Sequence, residues 1–585
     1  MTPIRSPRGR AILAALAVLL GALLLVAVPA AAQDPPPGTV APPAPALDDE
    51  RAMAIADGDP RIQDWIADRE ITRTIAELDR SKDQWTAWYI SEDGEGAEVT
   101  EAQAFIADDT GHIDEVRTGP QVAWSMARGY EGAFGRAYTR LEIWLPLCAL
   151  FLVPLLWVRR IVSMRTLDLL VLLSFGVSLI WFNRGDIFTS TPLAYPPMLY
   201  LLGRLTWVGL RRRPAPDDPA DPAAAPVPAP PAPRRPAFVG WCPTWLLATF
   251  LAITLALRYG LNAFDANVID VGYAGVIGAR RILDGSTPYG TFPADCASCD
   301  TYGPFNYIVY VPFTHFLGWS GSWDDLPAAH GAATLFDALC VAGMLLLGWR
   351  LSGLRLGMAL ALGWAAFPFS GYALESNSND SLVSAMLIWG LVLAARPVGR
   401  GLFLGLAAAA KFTPILLLPL WLRHPYPRGG GGRRGPLWVL VGLAGAAVLT
   451  AWVLALDGTA GITAFWDRTV GYQVGRDSPF SIWGQYPGLR PLQIALSVLV
   501  ILAALALLRW PRRLDLRAMA ALSGALMIAL QLTLTHWFYL YIPWFLPFAL
   551  LALLPEWPPP DEGEAAEPAP ARAAAPEGAA PAVAT

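Results

Sequence analysis

RGLFLGLAAAAKFTPILLLPLWLR (Arg400–Arg423) is the stretch that decides how this chain is read. Between its two arginines, only Lys411 and Thr413 carry a polar side chain. A run of about 20 apolar residues is enough to cross a bilayer as a helix. Arginines mark cytoplasmic ends, however, and here they stand at both ends. Pro414 and Pro419 interrupt the run. The expectation is a segment that dips into the membrane and returns, or a helix pair broken near Pro414. Broken helices at membrane depth are tolerated only where they are buried in protein or line a cavity. Of 43 basic residues only Lys82 and Lys411 are lysines. A charge at bilayer depth costs about 2.5–3.5 kcal/mol and tends to face a cavity or a partner. Snorkelling to the inner interface is the other reading of Lys411.

Working outward, similar apolar runs recur near residues 141–158, 167–183, 193–210, 241–258, 327–349, 355–374, 381–396, 436–456, 491–509, 516–534 and 537–555. Arginines at 159, 160, 165, 211–213, 350, 355, 396, 400, 423, 428, 433, 434, 509, 512, 513 and 517 supply the inside faces. The 585 residues are 54% hydrophobic and 16% charged, against about 25% charged in a soluble domain. The expected fold is an all-α polytopic membrane protein with about 11–13 transmembrane helices plus re-entrant or broken segments. A net charge of −5 excludes a nucleic-acid binder, which needs a basic surface.

The N-terminus carries Arg5, Arg8 and Arg10, then the apolar run Ala11–Val28, then Pro29-Ala30-Ala31-Ala32-Gln33. Residues 1–32 therefore read as a signal peptide or a first transmembrane helix, and the residues after them are expected outside the cytoplasm. Residues 33–140 hold 22 acidic and 10 basic residues. Within them Asp64–Leu78 has helical apolar spacing, Trp85–Ile90 reads as a strand, and Ala102–Ile106 and His112–Arg117 flank the hairpin signal Asp108-Asp109-Thr110-Gly111. A helix followed by strands around DDTGHIDEVRTGP resembles the PepSY family of small extracytoplasmic domains, which implies a small α+β cap. Residues 211–236 are a Pro/Ala tether expected inside, ahead of a module at 237–556. Residues 557–585 are a Pro/Ala/Glu-rich tail, expected to be disordered and cytoplasmic.

Sorting the scarce polar residues by face places Asp265, Asp270, Tyr273, Arg280, Arg281, Asp284 and Tyr302 in one outer loop. Glu375, Asn377, Asn379 and Asp380 fall in a second, Arg468, Arg476 and Asp477 in a third, and His536 at a fourth turn. Glu375–Asp380 sits directly between two apolar helices, so its charges are expected to face a cavity or a partner. Carboxylates, a histidine and paired arginines on one face suggest a site for a phosphate-bearing substrate. Cys296 and Cys299 form a C-x-x-C between Asp295 and Asp300. A single pair has half the ligands of a structural zinc site, and in an oxidising compartment a local disulfide is expected. Cys148, Cys242 and Cys340 lie in spans as apolar fillers.

DVGYAGVIGARRILDGSTPYG, followed by TYGPFNYIVYVPF, within Asp270–Phe313 resembles the first outer loop of GT-C membrane glycosyltransferases. The likeness is greatest to the mannosyltransferases of glycosyltransferase family 87, where an aspartate, a tyrosine three residues on, a Gly-x-x-Pro-Tyr and a tyrosine–proline segment recur. Gly399–Leu422 is similar to that family's glycine/alanine helix with its lysine and proline. Two departures stand out: the usual double proline is Gly303-Pro304, and the loop carries the extra C-x-x-C. The resemblance implies transfer of a hexose, mannose above all, from a polyprenyl-phosphate donor to a lipid or glycan acceptor. The reaction would take place at the outer face of a bacterial plasma membrane. It makes Asp270 the general base, with Asp265 in reserve, and inverts the sugar in one displacement. Arg468, Arg476 and Lys411 are candidates for the leaving phosphate, with His536 a further donor. Tyr273, Tyr302, Glu375, Asn379 and Asp380 complete the expected substrate contacts. No Asp-x-Asp stands in the first loop, so no obligatory metal or other cofactor is expected. The competing readings are a transporter or flippase for a polyprenyl-linked or polar solute, since transporters also use broken helices, and a non-catalytic membrane scaffold.

Overall fold

The structure is a computed structural model that describes residues 45–557 except 93–95, 130–134, 212–235, 239, 322, 324–325, 424–433, 472–477 and 512–513. The signal peptide or first helix at 1–32, nearly all of the Pro/Ala tether and of the tail, and Arg476 with Asp477 lie outside the described residues. The chain divides into two compact units, ending and beginning at Arg128 and Gly129.

The first unit opens with helices α1 (Asp49–Asp57) and α2 (Pro60–Ile66), each started by an aspartate cap, Asp48 and Asp59. Four antiparallel strands come next in sequential order, β1 (Ile71–Asp79), β2 (Gln84–Glu92), β3 (Glu98–Ala107) and β4 (Ile113–Thr118). Strands and hairpin lie where the alternation places them, but the expected helix over Asp64–Leu78 stops at Ile66. Residues 71–79 are a strand instead, because Ile71, Thr72, Thr74 and Ile75 are β-branched and favour the pleated state. Pairing decides the matter, with Ile75 opposite Trp88 and Leu78 opposite Trp85. Alanines 87, 102 and 104 on the sheet and Ala52 and Ala56 on α1 are all fully buried. Their small side chains let helix and sheet approach closely.

Asp108 in the β3–β4 turn accepts hydrogen bonds from the backbone N–H of Ala46 (2.8 Å) and Leu47 (3.0 Å) and from Trp85 Nε1 (2.8 Å). These donors, the Ala46 N–H foremost, hold its carboxyl below the ordinary 3.8. A depressed carboxylate adds stability above its ordinary value and loses it as pH falls through its folded-state value. Asp108→Asn is therefore expected to speed amide hydrogen exchange in β2 and β3 at neutral pH. The gap to wild type should close only as the pH falls through that folded-state value, which lies below 3.8.

In the second unit, helices α3 (Leu141–Leu152), α4 (Met164–Asn183) and α5 (Tyr195–Leu210) precede α6 (Thr244–Asp265) and α7 (Asp270–Leu283). Then come α8 (Pro327–Ser352), α9 (Leu354–Ala365), α10 (Pro368–Glu375), α11 (Asp380–Val392) and α12 (Pro397–Ala410). The last are α13 (Gly435–Ala451), α14 (Arg490–Ala506), α15 (Leu516–Gln531) and α16 (Ile542–Leu553). Among the described residues five helices are long and apolar enough to cross a membrane, and α9 with α10, bent by 57°, makes a sixth. The expected 11–13 crossings are thus not all full-length helices, and several are apolar helices of 10–17 residues. A helix enclosed by protein need not match the bilayer, and α16 is buried along its whole length. By contrast α14 buries only Gln493 and Ala504, and its exposed leucines, isoleucines and valines present an apolar face suited to lipid.

Helix α5 packs on α15 and α16, and α4 meets α16 and the segment before it through Phe175, whose ring lies 6.2 Å from Phe545 and 6.5 Å from Trp537. The Ser178 hydroxyl pairs with Tyr539 (2.7 Å), and a Cβ on Gly209 would stand 2.5 Å from the Leu522 side chain. The segment 401–422 does return. Helix α12 ends at Ala410, Lys411 is extended, and a 3-10 turn (Thr413–Leu417) leads to a short helix, Leu418–Trp421. A Cβ on Gly390 would lie 2.6 Å from Trp421 and 3.6 Å from Phe403. The end of the return limb therefore stands beside the start of the outgoing one. Glycines at the α12–α13 crossing allow backbone contact, since a Cβ on Gly401 would sit 2.0 Å from the Val439 carbonyl oxygen.

Candidate active site

The polar turn ESNSND joins α10 to α11. Asn377 takes the left-handed conformation (φ 48°) that asparagine tolerates. Its Oδ1 accepts from Asn262 Nδ2 (2.9 Å), and its own Nδ2 donates to the Asn267 carbonyl (2.8 Å). Ser376 and Ser378 donate back to the carbonyls of Tyr372 and Ala373. The turn lies between the two apolar helices as expected, and it is enclosed throughout, for every residue from Glu375 to Asp380 is at most 1% exposed. The side chains satisfy the backbone that water would otherwise serve. Glu375 Oε1 has no hydrogen-bond partner among the described residues.

Asp380, at the start of α11, meets Lys411 at the break after α12, with Nζ 2.6 Å from Oδ1. Trp544 Nε1 donates to the same oxygen at 2.9 Å. The ammonium lies 5.1 Å from the Trp544 ring, 5.3 Å from Tyr541 and 5.5 Å from Tyr302, within cation–π range of all three. Lys411 is 10% exposed and Asp380 wholly buried. Snorkelling is thereby replaced by an ion pair in an aromatic box. The first loop closes against this break: Gly303 N–H donates to the Ala410 carbonyl (3.1 Å), and a Cβ there would lie 2.1 Å from the Ala409 oxygen. Glycine at 303, where the resembling family has a proline, leaves both the N–H and the room. Asn379 Nδ2 donates to Asn306 Oδ1 (2.6 Å). His536 is half-buried, with Nδ1 2.8 Å from the Ser478 hydroxyl and its ring 6.4 Å from Tyr541.

Tyr302, Asn379, Asp380, Lys411 and His536 are thus brought together, and the remaining expected residues are placed around them. Asp270 is exposed at the first turn of α7. The preceding Ile269 N–H donates to the Ser376 carbonyl (3.2 Å), docking the helix start on the buried turn. Tyr273 donates to Asp295 (3.2 Å) and packs on Trp323 at 4.4 Å. Burial, and then the Asp295 carboxylate, push its phenol above the usual range. Asp265 is committed elsewhere, its Oδ2 accepting the Ala137 N–H at 3.1 Å. Arg468 grips Asp300 with Nε 2.8 Å from each carboxylate oxygen and also donates to the Ala297 carbonyl. The Cys296–Cys299 disulfide closes the turn that presents both acceptors.

Asn306, Tyr541 and Trp544 were not foreseen. The two aromatics stand in an apolar run where one ring looks like another, and the Lys411 contact that singles them out arises only from the fold. Asp300, seen in the sequence as a flank of the C-x-x-C, is the carboxylate that anchors Arg468.

Residues 301–534 match the family model described as glycosyltransferase family 87. The matched span includes Tyr302, the whole turn at 375–380, Lys411 and Arg468. A search of curated proteins finds no match. The family match supports assigning the membrane unit to the GT-C-type glycosyltransferases of family 87, multi-pass membrane enzymes that take a sugar from a donor to an acceptor.

Proposed function

We propose that this unit transfers mannose from a polyprenyl-phosphate carrier to a hydroxyl of a lipid or glycan acceptor at the extracytoplasmic face of the plasma membrane. The observation that carries the reading is Lys411. It is a desolvated ammonium at the tip of a returning membrane segment, boxed by aromatic rings and open over a small part of its surface. A carrier whose chain stays in the bilayer brings its phosphate to such a depth, and a cation in low dielectric attracts it more strongly than one in water.

Asp270, exposed beside the buried turn, is the general base. The acceptor oxygen attacks the anomeric carbon, its proton passes to the Asp270 carboxylate, and the carbon–oxygen bond to phosphate breaks in the same step. Displacement from the face opposite the phosphate inverts the anomeric centre. The leaving phosphate gains charge as the bond breaks, so Lys411 holds it more tightly in the transition state than in the ground state, which is what accelerates a reaction. His536, one ring away from Lys411, is a further hydrogen-bond donor. Arg468 supports the loop through Asp300, and its service to phosphate would require that grip to open.

The test is incubation of the purified protein with labelled polyprenyl-phosphate-mannose and membrane lipids. Label is expected to move to a lipid or glycan product. Failure with every polyprenyl-phosphate sugar offered would overturn the donor class.

A further inference from the structure

We propose that Asp380 is a resting counter-ion that a phosphoryl group displaces from Lys411, so that anion binding works as an exchange of partners. The proposal rests on the preceding reading only in taking the incoming anion to be a phosphoryl group.

The resting pair is unevenly satisfied. A carboxylate offers about four acceptor positions on its two oxygens. Here Lys411 and Trp544 both bond Oδ1, while Oδ2 is buried with no partner among the described residues. Asn306 Nδ2, Asn379 Oδ1 and the Tyr310 hydroxyl are also buried and unpartnered among the described residues. Each such group forgoes the hydrogen bond that water would otherwise supply. Asn306 already touches Asn379, the chain neighbour of Asp380. Tyr310 comes one turn later and lies within electrostatic reach of the Asp380 charge. Two donors, Asn306 Nδ2 and the Tyr310 hydroxyl, are therefore left unused in the same buried neighbourhood as the unpartnered oxygen.

Exchange resolves this mismatch. A buried ammonium cannot be left without an anion, so Lys411 gives up Asp380 only to another negative group. A phosphoryl oxygen reaching the open side of Nζ supplies that charge. Asp380 then keeps Trp544 and turns its second oxygen to the Asn306 N–H and the Tyr310 O–H. Arg468 does not compete for this role while Asp300 and Ala297 hold it. Asp380 is in this scheme a positioning residue, setting when Lys411 becomes available.

The scheme makes an unusual sign prediction, testable by binding of farnesyl phosphate and, separately, inorganic phosphate to the full-length protein in detergent. Removing a negative competitor should strengthen anion binding, so Asp380→Asn is expected to bind about tenfold or more tightly than wild type. Lys411→Met should bind at least about tenfold more weakly. Tyr310→Phe removes only an unpartnered hydroxyl, so its melting temperature should stay put. Its affinity should nonetheless fall several-fold, because the displaced carboxylate loses a donor. Tightening with farnesyl phosphate alone assigns a lipid phosphate, and tightening with inorganic phosphate alone assigns a free anion; both support the exchange. Equal or weaker binding by Asp380→Asn overturns it. If that variant does not fold, unchanged affinity in Tyr310→Phe overturns it instead. The transfer assay, which needs neither variant, decides the glycosyl-transfer reading separately.

Discussion

Asp337→Ala is expected to cost the membrane unit about 3–5 kcal/mol, read as a large fall in the melting temperature of the detergent-solubilised protein. Asp337 and Arg258 are both fully buried, with Nη2 2.7 Å from Oδ1. Trp364 Nε1 (2.8 Å) and the Tyr259 hydroxyl (3.1 Å) complete the carboxylate's bonds, and Arg258 also donates to the Ala365 carbonyl. Truncating the acid strands a guanidinium among helices α6, α8 and α9 with no water to serve it. Replacing both members with leucine removes the stranded charge, and the double variant is expected to lie well above Asp337→Ala in stability. A double variant as unstable as the single one would show that packing at Asp337, and not the orphaned charge, sets the loss.

The second large effect falls on rate. Asp270→Asn should slow glycosyl transfer by about 10²–10⁴-fold, the usual contribution of a positioned base. Farnesyl phosphate binding should be unchanged, because an amide keeps the shape of the side chain but does not take the acceptor's proton. Asp265→Asn is the internal comparison. Its carboxylate holds the Ala137 N–H, so its loss should appear in stability while the rate is retained. Full transfer by Asp270→Asn would remove Asp270 from the reaction, and a rate loss confined to Asp265→Asn would exchange the two assignments.

Much of this was legible in the residues. Arginines at both ends of 401–422, with Pro414 inside, announced a segment that turns back. A lysine in an arginine-rich chain, set in an apolar run, announced a site. Both readings rest on charge and length, which the bilayer prices strongly. What stayed hidden depended on pairing at a distance. Arg258 and Asp337 are 79 positions apart in the chain, each in or beside a run that otherwise looks like an ordinary span. Helical spacing over Asp64–Leu78 was real, yet cross-strand partners with tryptophans outweighed it. ESNSND was expected to face a cavity or a partner, but its full burial, with asparagines and serines serving one another and the backbone, depended on contacts the sequence does not show. Trp544 carries no mark in the sequence at all.

The returning segment also fixes parity. A hairpin that enters and leaves by one side adds no net crossing, so every helix after Arg423 keeps the orientation it would have if residues 397–421 were absent. Counted as one crossing, the same residues would send His536 and Tyr541 to the opposite side of the bilayer from Tyr302. Tyr541 and Tyr302 instead flank one ammonium. One unmade crossing is what lets the first loop and the last turn share a lysine.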